Sequence, residues 1–579
     1  MNQRILSVGF FLSIVFAPFL PAVNQYWDTA TTAGYQHGNG SWSTLAADTN
    51  WTLNGTSRCG WTNGNTAYFS GTGGKSVVRV DGSTVNANGG LTVNGTRYDI
   101  VVTNGGQLTV SNNFIIGYAV GALSNRVSIV GGEGVTSRCS SLGASWVNYN
   151  GKWNELYVDG RGAVSSAVFE VGTLLVGYVA ASSSGKVTVC RGGVIDAGSI
   201  PIGRASPRNL VTVSDGGIIR TSSYVGIGRV SGNNGSSSNT LVVTGPGSLV
   251  VSAYLYVGGE SRTGNKLIVA DGGVVSNINT FSVGGLTSRR SMMVITNGGK
   301  LFTSGTISFA GGSSLSTTGL ITGAGSMWNL GNGVLTLGSG TNNLLQIEDS
   351  GLVTNANAIR IGFSATARTN GLIVSRGGRL YSKGASSIGY TSGAADNSAL
   401  VIGMGSLWDL GGENLTVGAA TMPGNSLTID GTGRVERVGL LTVATDNTLN
   451  MWGGTLVAGQ ATFQDGAQSV FRITEATTPG SGWGCLTVTN GSLTLGGGIH
   501  PVLRPGLLPP GSTRFDIMTN QGPGSISGVF SNAAHGSDIE VYAEDKPKSV
   551  GLFTVEIGTK NVSLIKFRQP HSGSVFMIH

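Results

Sequence analysis

The chain has 579 residues, of which 96 are glycine, 40% are hydrophobic and only 11% are charged. So much glycine with so little charge argues against ordinary helical or α/β domains, and the recurring valine, leucine and isoleucine argue against a disordered chain. The formal charge of +7 comes from 35 lysines and arginines, with no cluster beyond the pair Arg289-Arg290. A nucleic-acid partner, which needs local basic density, is not expected.

The first 22 residues have the pattern of a secretory signal. Arg4 supplies the positive start, residues 5–17 an apolar core, Pro18 and Pro21 break it, and Ala22 can precede the cleavage point. The apolar stretch is short for a membrane span of ~20 residues. Export is therefore expected, with membrane contact only through this signal. Residues 23–97 follow as an N-terminal cap with first rungs, where Trp27, Trp42, Trp51 and Trp61 cluster as a small core. Cys59, Cys139, Cys190 and Cys485 are widely spaced and form no CxxC, so a zinc or redox motif is not expected. One or two disulfides and isolated buried thiols both remain open.

Residues 98–460 repeat. The glycines that close successive turns are Gly247, Gly273, Gly299, Gly325, Gly351, Gly378, Gly405 and Gly433, at spacings of 26, 26, 26, 26, 27, 27 and 28. Gly106, Gly134, Gly162, Gly193 and Gly217 extend the series less evenly. Each unit begins with an alternating strand such as LIVADGG (267–273) and continues into a second strand that ends in glycine, such as LTLG (335–338). A loose Ser/Asn/Gly loop closes it. Two or three short strands per ~26 residues, with no helix between them, predict one coil of a single-stranded parallel β-helix. Right-handed coiling follows the general preference of parallel crossovers. Residues 77 to about 460 should make roughly 14 to 16 rungs, hence a rod on the order of 70 Å at ~4.8 Å per rung. Asn-Gly and Asp-Gly steps suit the corners, and Asx side chains can stack into ladders. A variant turn, Gly-x-Gly-Ser, occurs at 245–248, 323–326 and 403–406, three rungs apart each time. It marks a three-rung super-period. Residues 461–579 are expected to hold the terminal rungs and a β-rich cap.

The stretches KLIVADGGVV…FSVGG, GLIVSRGGRLYS…SIGYTSG and NSALVIGMGSLWDLGGENLTVG resemble the repeat of bacterial type V secretion (autotransporter) passengers and of PEP-CTERM-associated exported proteins. The N-terminal YWDTATTAGYQHGNGSW…TAYFSG is similar to autotransporter-associated β-strand proteins, and TRFDIMTNQGPGSISGVFSN resembles a passenger-terminating segment. The resemblance implies a secreted or cell-surface protein of a Gram-negative-type bacterium, adhesin-like, with an extracellular glycan or cell-surface partner. An autotransporter also carries a many-stranded C-terminal barrel, and the ~110 residues after the repeats leave no room for one. A Pro-Glu-Pro sorting signal is absent too.

The repeat fold also hosts polysaccharide lyases and glycosidases, which work through clustered carboxylates. The candidates Asp159, Asp215, Asp271, Asp349 and Asp430 all lie at or near turn corners, where aspartate is favoured for the turn itself. Arg191, Arg376 and Arg379 sit beside similar corners. No metal-ligand, nucleophile-elbow or phosphate-loop motif occurs, and the five histidines lie outside the repeats. Neither cofactor nor metal is expected. Trp328 and Trp408, at equivalent places one super-period apart, are candidate glycan contacts by stacking on sugar faces. The turn glycines Gly217 to Gly433 are read as structural. The expectation is an all-β, non-enzymatic, exported β-solenoid. A β-helical carbohydrate-active enzyme is the alternative, and an autotransporter fragment lacking its barrel is the second.

Overall fold

The computed structural model describes residues 21–71, 73–229, 236–259, 262–418, 423–476 and 479–569, so residues 1–20 of the expected export signal lie outside it. Among the described residues no helix is long and apolar enough to cross a membrane. Regular structure there is strand alone, joined in one continuous hydrogen-bonded stack. The chain is a parallel β-solenoid of about 16 turns, each of ~27 residues.

One turn shows how the sequence makes three faces. Met292–Thr296 forms the first face, Lys300–Phe302 the second and Thr306–Phe309 the third. Each pairs parallel with the turns on both sides: Met293 lies between Leu267 and Gly319, Leu301 between Val275 and Trp328, Ile307 between Phe281 and Leu335. Side chains of period two put Met293, Ile295, Leu301, Ile307 and Phe309 in the interior, where none is more than 1% exposed. No turn could bury this set alone; stacking supplies the opposing wall.

The corner between the first and second faces explains the periodic glycines. In its common form two residues are left-handed, as in Asp271 (φ 51°) and Gly272 (φ 79°). Gly273, which closes it, has an ordinary φ and is needed for a different reason: a Cβ there would lie 2.5 Å from the Val243 carbonyl oxygen of the turn before. Gly217, Gly299, Gly351, Gly378 and Gly433 meet a carbonyl in the same way. Gly247, Gly325 and Gly405 occupy a different position. The Gly-x-Gly-Ser corner is one residue longer, these glycines are themselves left-handed (φ 75–78°), and the following serine takes the place of Gly273. Ser248, Ser326 and Ser406 are buried there. The Ser406 hydroxyl donates to the Ile402 carbonyl at 2.7 Å and accepts the Gly377 N–H at 3.1 Å, tying one corner to the next.

The corner between the third and first faces carries a buried asparagine ladder. Asn343, Asn370, Asn397, Asn425 and Asn447 each stand immediately before a first-face strand, at most 1% exposed. The Asn370 Nδ2 donates to Asn397 Oδ1 at 2.9 Å, and Asn397 Nδ2 donates to Asn425 Oδ1 at 3.0 Å. The backbone N–H of Asn397 shares the Asn425 oxygen at 3.0 Å. A second run joins Asn209, Asn239 and Asn265. The glycine that ends each third-face strand makes room: at Gly389 (φ 76°) a Cβ would lie 2.5 Å from Asn425 Nδ2. The Asx ladder is thus on the loop corner, whereas the sequence pointed to the Asn-Gly and Asp-Gly corner.

Both ends leave the parallel stack. Asn24–Trp27 pairs antiparallel with Trp51–Thr52, over which Trp27, Trp42, Trp51 and Trp61 pack with ring centroids 4.7–5.4 Å apart. At the other end Asn561–Arg568 pairs antiparallel with both Phe515–Asn520 and Ser549–Ile557, and the latter covers Asp538–Ala543. The last rungs therefore do not offer an open parallel edge. All four cysteines are free, with Cys139 and Cys190 buried.

Candidate interaction surface

Trp328 and Trp408 lie in the wall of the core, not on the surface. Both are 0% exposed. Their side chains share the inward parity of Ser326 and Ser406, two residues earlier, and stand on the second face between Leu301 and Val353, and between Leu380 and Val435. The Trp328 Nε1 donates to Thr303 Oγ1 at 3.0 Å, and the Trp408 Nε1 to Ser382 Oγ at 3.4 Å. Neither ring offers a face to a sugar, so the expected glycan contact is corrected to a packing role.

The corner carboxylates are engaged locally. Asp271 accepts from Thr244 Oγ1 at 2.7 Å and from Asn297 Nδ2 at 3.2 Å. Asp349 accepts from Arg376 Nε at 2.7 Å and from Thr322 Oγ1 at 3.1 Å, and Arg376 also pairs with Glu348. Asp430 lies 3.8 Å from Arg472. Asp159 is buried and paired with Arg191, and it accepts the Arg161 N–H at 2.8 Å. Burial alone would raise its pKa, but the hydrogen bonds from Arg191 and from the Arg161 amide outweigh that and hold it below the usual carboxylate value. Arg379 projects from the second face, exposed, in register with Leu352 and Leu407. Asp215 is the first of the two left-handed residues of its corner (φ 50°). Asp159 and Asp349 are each neutralised by an arginine of the next turn, whereas Asp271 has only neutral partners. Among the described residues no group of three His, Cys, Asp or Glu side chains could hold a metal ion.

One chain of polar contacts links these groups. The Cys190 thiol lies 3.5 Å from the Tyr157 hydroxyl, which donates to Asp159 Oδ2 at 3.2 Å. Burial pushes the Cys190 thiol up, so it stays protonated and is not an activated nucleophile.

The surface feature that sequence reasoning missed is aromatic. Tyr118, Tyr149 and Tyr178 follow the ends of successive third-face strands and stack along the rod, with ring centroids 5.3 and 4.9 Å apart and planes within 26°. Trp146 meets Tyr149 and Tyr178 edge-on at 5.8 and 6.0 Å. Arg204 continues the column, 4.7 Å over the Tyr178 ring. Tyr118 is 47% exposed and nearby Trp153 59%. The signal was present as Gly-Tyr at 117–118 and 177–178, one residue beyond the strand-ending glycine. It was hidden because the two intervening turns differ in length.

The fold and surface together define a parallel β-solenoid with a partly exposed aromatic column. No family model matches the chain, and no curated protein matches it. A solved structure with a similar course is a TibC-catalysed hyper-glycosylated TibA fragment, 14% identical, covering 78% of this chain and 92% of that one with a TM-score of 0.26. The fold assignment rests on the strand pairing, and that likeness adds no argument to it.

Proposed function

We propose that this protein is an exported, non-enzymatic rod of the cell surface or surroundings, adhesin-like, that contacts saccharide or another surface partner along one edge. The observation that carries the reading is the column Tyr118–Tyr149–Tyr178, exposed at Tyr118 and half-buried at the other two, with half-buried Trp146 beside it. The rings cover one another's faces, so the column presents ring edges and phenol hydroxyls at fixed spacing on a rigid sheet, an amphipathic strip that costs little entropy to present. The passenger-like repeat text of residues 98–460 supports placement outside the cell, as does the signal-like start. The carboxylates' local engagement favours a structural over a catalytic use of the corners.

The test is a glycan array probed with the purified chain, alongside a Tyr149→Ala variant and a reducing-end release assay. Binding that drops at least fivefold in the variant, with no sugar release, supports the reading. Release of reducing or unsaturated ends by the wild-type chain would sink it in favour of a carbohydrate-active enzyme. Fractionation of the producing cell must also find the chain outside the cytoplasm.

A further inference from the structure

The pair Arg289-Arg290 is the one basic motif in the sequence that the corners and columns above do not use. It lies on the loop edge between the third and first faces, in the same edge column as the loops that follow Tyr118 and Tyr178. Leu123, Lys152 and Ser183 bridge in one stretch and Thr263, Arg289 and Leu315 in another, and the N–H groups of Ser184, Arg208 and Ser238 link them through the carbonyls of Pro207, Ser237 and Thr263. Between Thr263, Arg289, Arg290, Leu315 and Ser316 there is an open cleft of about 300 Å³.

The sequence around this cleft is net basic. Residues 217–347 contain seven lysines and arginines but only two acids, Glu260 and Asp271, so this stretch holds +5 of the chain's +7. Asp271 sits at the far corner, held by Thr244 and Asn297. Arg220 pairs with Asp196, and Arg229 lies over the Tyr256 ring. Arg289 and Arg290 are exposed and have no ion pair among the described residues. Arg290 occupies the left-handed position (φ 51°) that Ser238, Ser316, Asn342 and Thr369 hold in other turns. Lys266, exposed, lies one turn earlier on the adjoining first face. Cations one turn apart repeat at ~4.8 Å along the rod.

We propose that this cleft is an anion-recognition site for an acidic polysaccharide, with Arg289 and Arg290 binding its carboxylate groups; the proposal rests on the saccharide-contact reading above. Arginine presents a planar fork that matches a carboxylate with two hydrogen bonds. The Thr263 and Ser316 side chains supply hydroxyls and Leu315 an apolar patch, the mixture a sugar ring with a carboxylate requires. The cleft contains no aromatic ring on which a base could stack, so a nucleic acid would gain only phosphate contacts there. An acidic glycan laid along this edge can reach from the cleft towards the tyrosine column.

The experiment titrates the full chain with uronic-acid oligosaccharide (oligogalacturonate) by calorimetry, beside a neutral oligosaccharide of equal length. Binding of the acidic probe is expected, weakening as salt rises, with at least tenfold loss in Arg289→Gln/Arg290→Asn, where asparagine tolerates the left-handed backbone. Thr263→Glu, which leaves both arginines in place, should weaken it comparably, and Arg379→Gln on the second face should not. Circular dichroism checks that each variant folds. Absence of binding, equal binding of the neutral probe, or full affinity in both cleft variants overturns the proposal. Tighter binding to duplex DNA or to anionic vesicles overturns the saccharide assignment. Cleavage of the probe would instead overturn the non-enzymatic reading, and arginine dependence of that cleavage would leave the cleft standing. Loss of array binding in Tyr149→Ala with oligogalacturonate binding intact separates the two surfaces.

Discussion

Single residues in this rod are chosen for what the neighbouring turn places against them. Asn397 is the clearest case. Its oxygen accepts from the Asn370 N–H and Nδ2 at 3.2 and 2.9 Å, and its own Nδ2 donates to Asn425 and to the Ala395 carbonyl. Asn397→Ala would leave several buried groups unpaired, at about 1–3 kcal/mol for each unsatisfied group. A loss of about 2–4 kcal/mol in urea unfolding is expected, with faster amide exchange at Asn370. Asp159 gives a pH-dependent counterpart. Its folded pKa is below the unfolded value of about 3.9, so its stabilisation is complete above that value and is lost as pH falls through the lower folded one. Wild type should therefore lose stability below about pH 4, where Asp159→Asn, less stable at neutral pH, changes less. The two curves of stability against pH should converge in acid.

At the scale of the turn, the asparagine ladder has a gap. Ser291 and Thr317 stand where asparagine is found on both sides. Asn265 Nδ2, Ser288 Oγ, Ser291 Oγ, Ser314 Oγ and Thr317 Oγ1 are buried there without a protein partner. The glycines that make room for asparagine elsewhere are kept: Gly258 faces Ser291 and Gly284 faces Thr317, each left-handed. Ser291→Asn should therefore fit, supply an acceptor to Asn265 and stabilise the rod by about 1 kcal/mol. If thermal or urea unfolding shows no gain, the space at Gly258 is not the ladder's. In the opposite direction, Gly389→Val should cost about 2–4 kcal/mol, since it adds a left-handed β-branched residue to a clash with Asn425. The repeat period was legible because hydrophobic alternation and corner glycines recur in every turn. The ladder was harder to read. Its asparagines are separated by loops of differing length, and the sequence alone does not tell an inward Asn from an exposed one.

For the whole molecule, about 16 turns at ~4.8 Å give a rod roughly 80 Å long before its caps. Small-angle scattering should return an elongated particle. Its ends are closed by antiparallel strands, the last of which, Asn561–Arg568, covers Phe515–Asn520. Ending the chain after residue 473 would expose Gln468–Ile473 and its neighbours as an unpaired parallel edge. Such a truncation should associate end to end, seen as growing scattering mass with concentration, while the 579-residue chain stays at fixed size.

The sequence by itself determined the solenoid: spacing of 26–28 residues, period-two strands and corner glycines have no other economical packing, because a turn that cannot bury its own face must stack. It also marked Trp328 and Trp408 as equivalent, three turns apart. Only the tertiary structure decided which way they point, since a strand's parity relative to the core is fixed by the corner before it, and the serine corner is one residue longer than the glycine corner. The same holds for the surface. Tyr118, Tyr149 and Tyr178 are 31 and 29 residues apart in the chain, and the arginine pair is separated from the other cleft residues by whole turns. The tyrosines become a column, and Thr263, Leu315 and Ser316 join the arginine pair in one cleft, only when stacking brings successive turns within ~4.8 Å of each other.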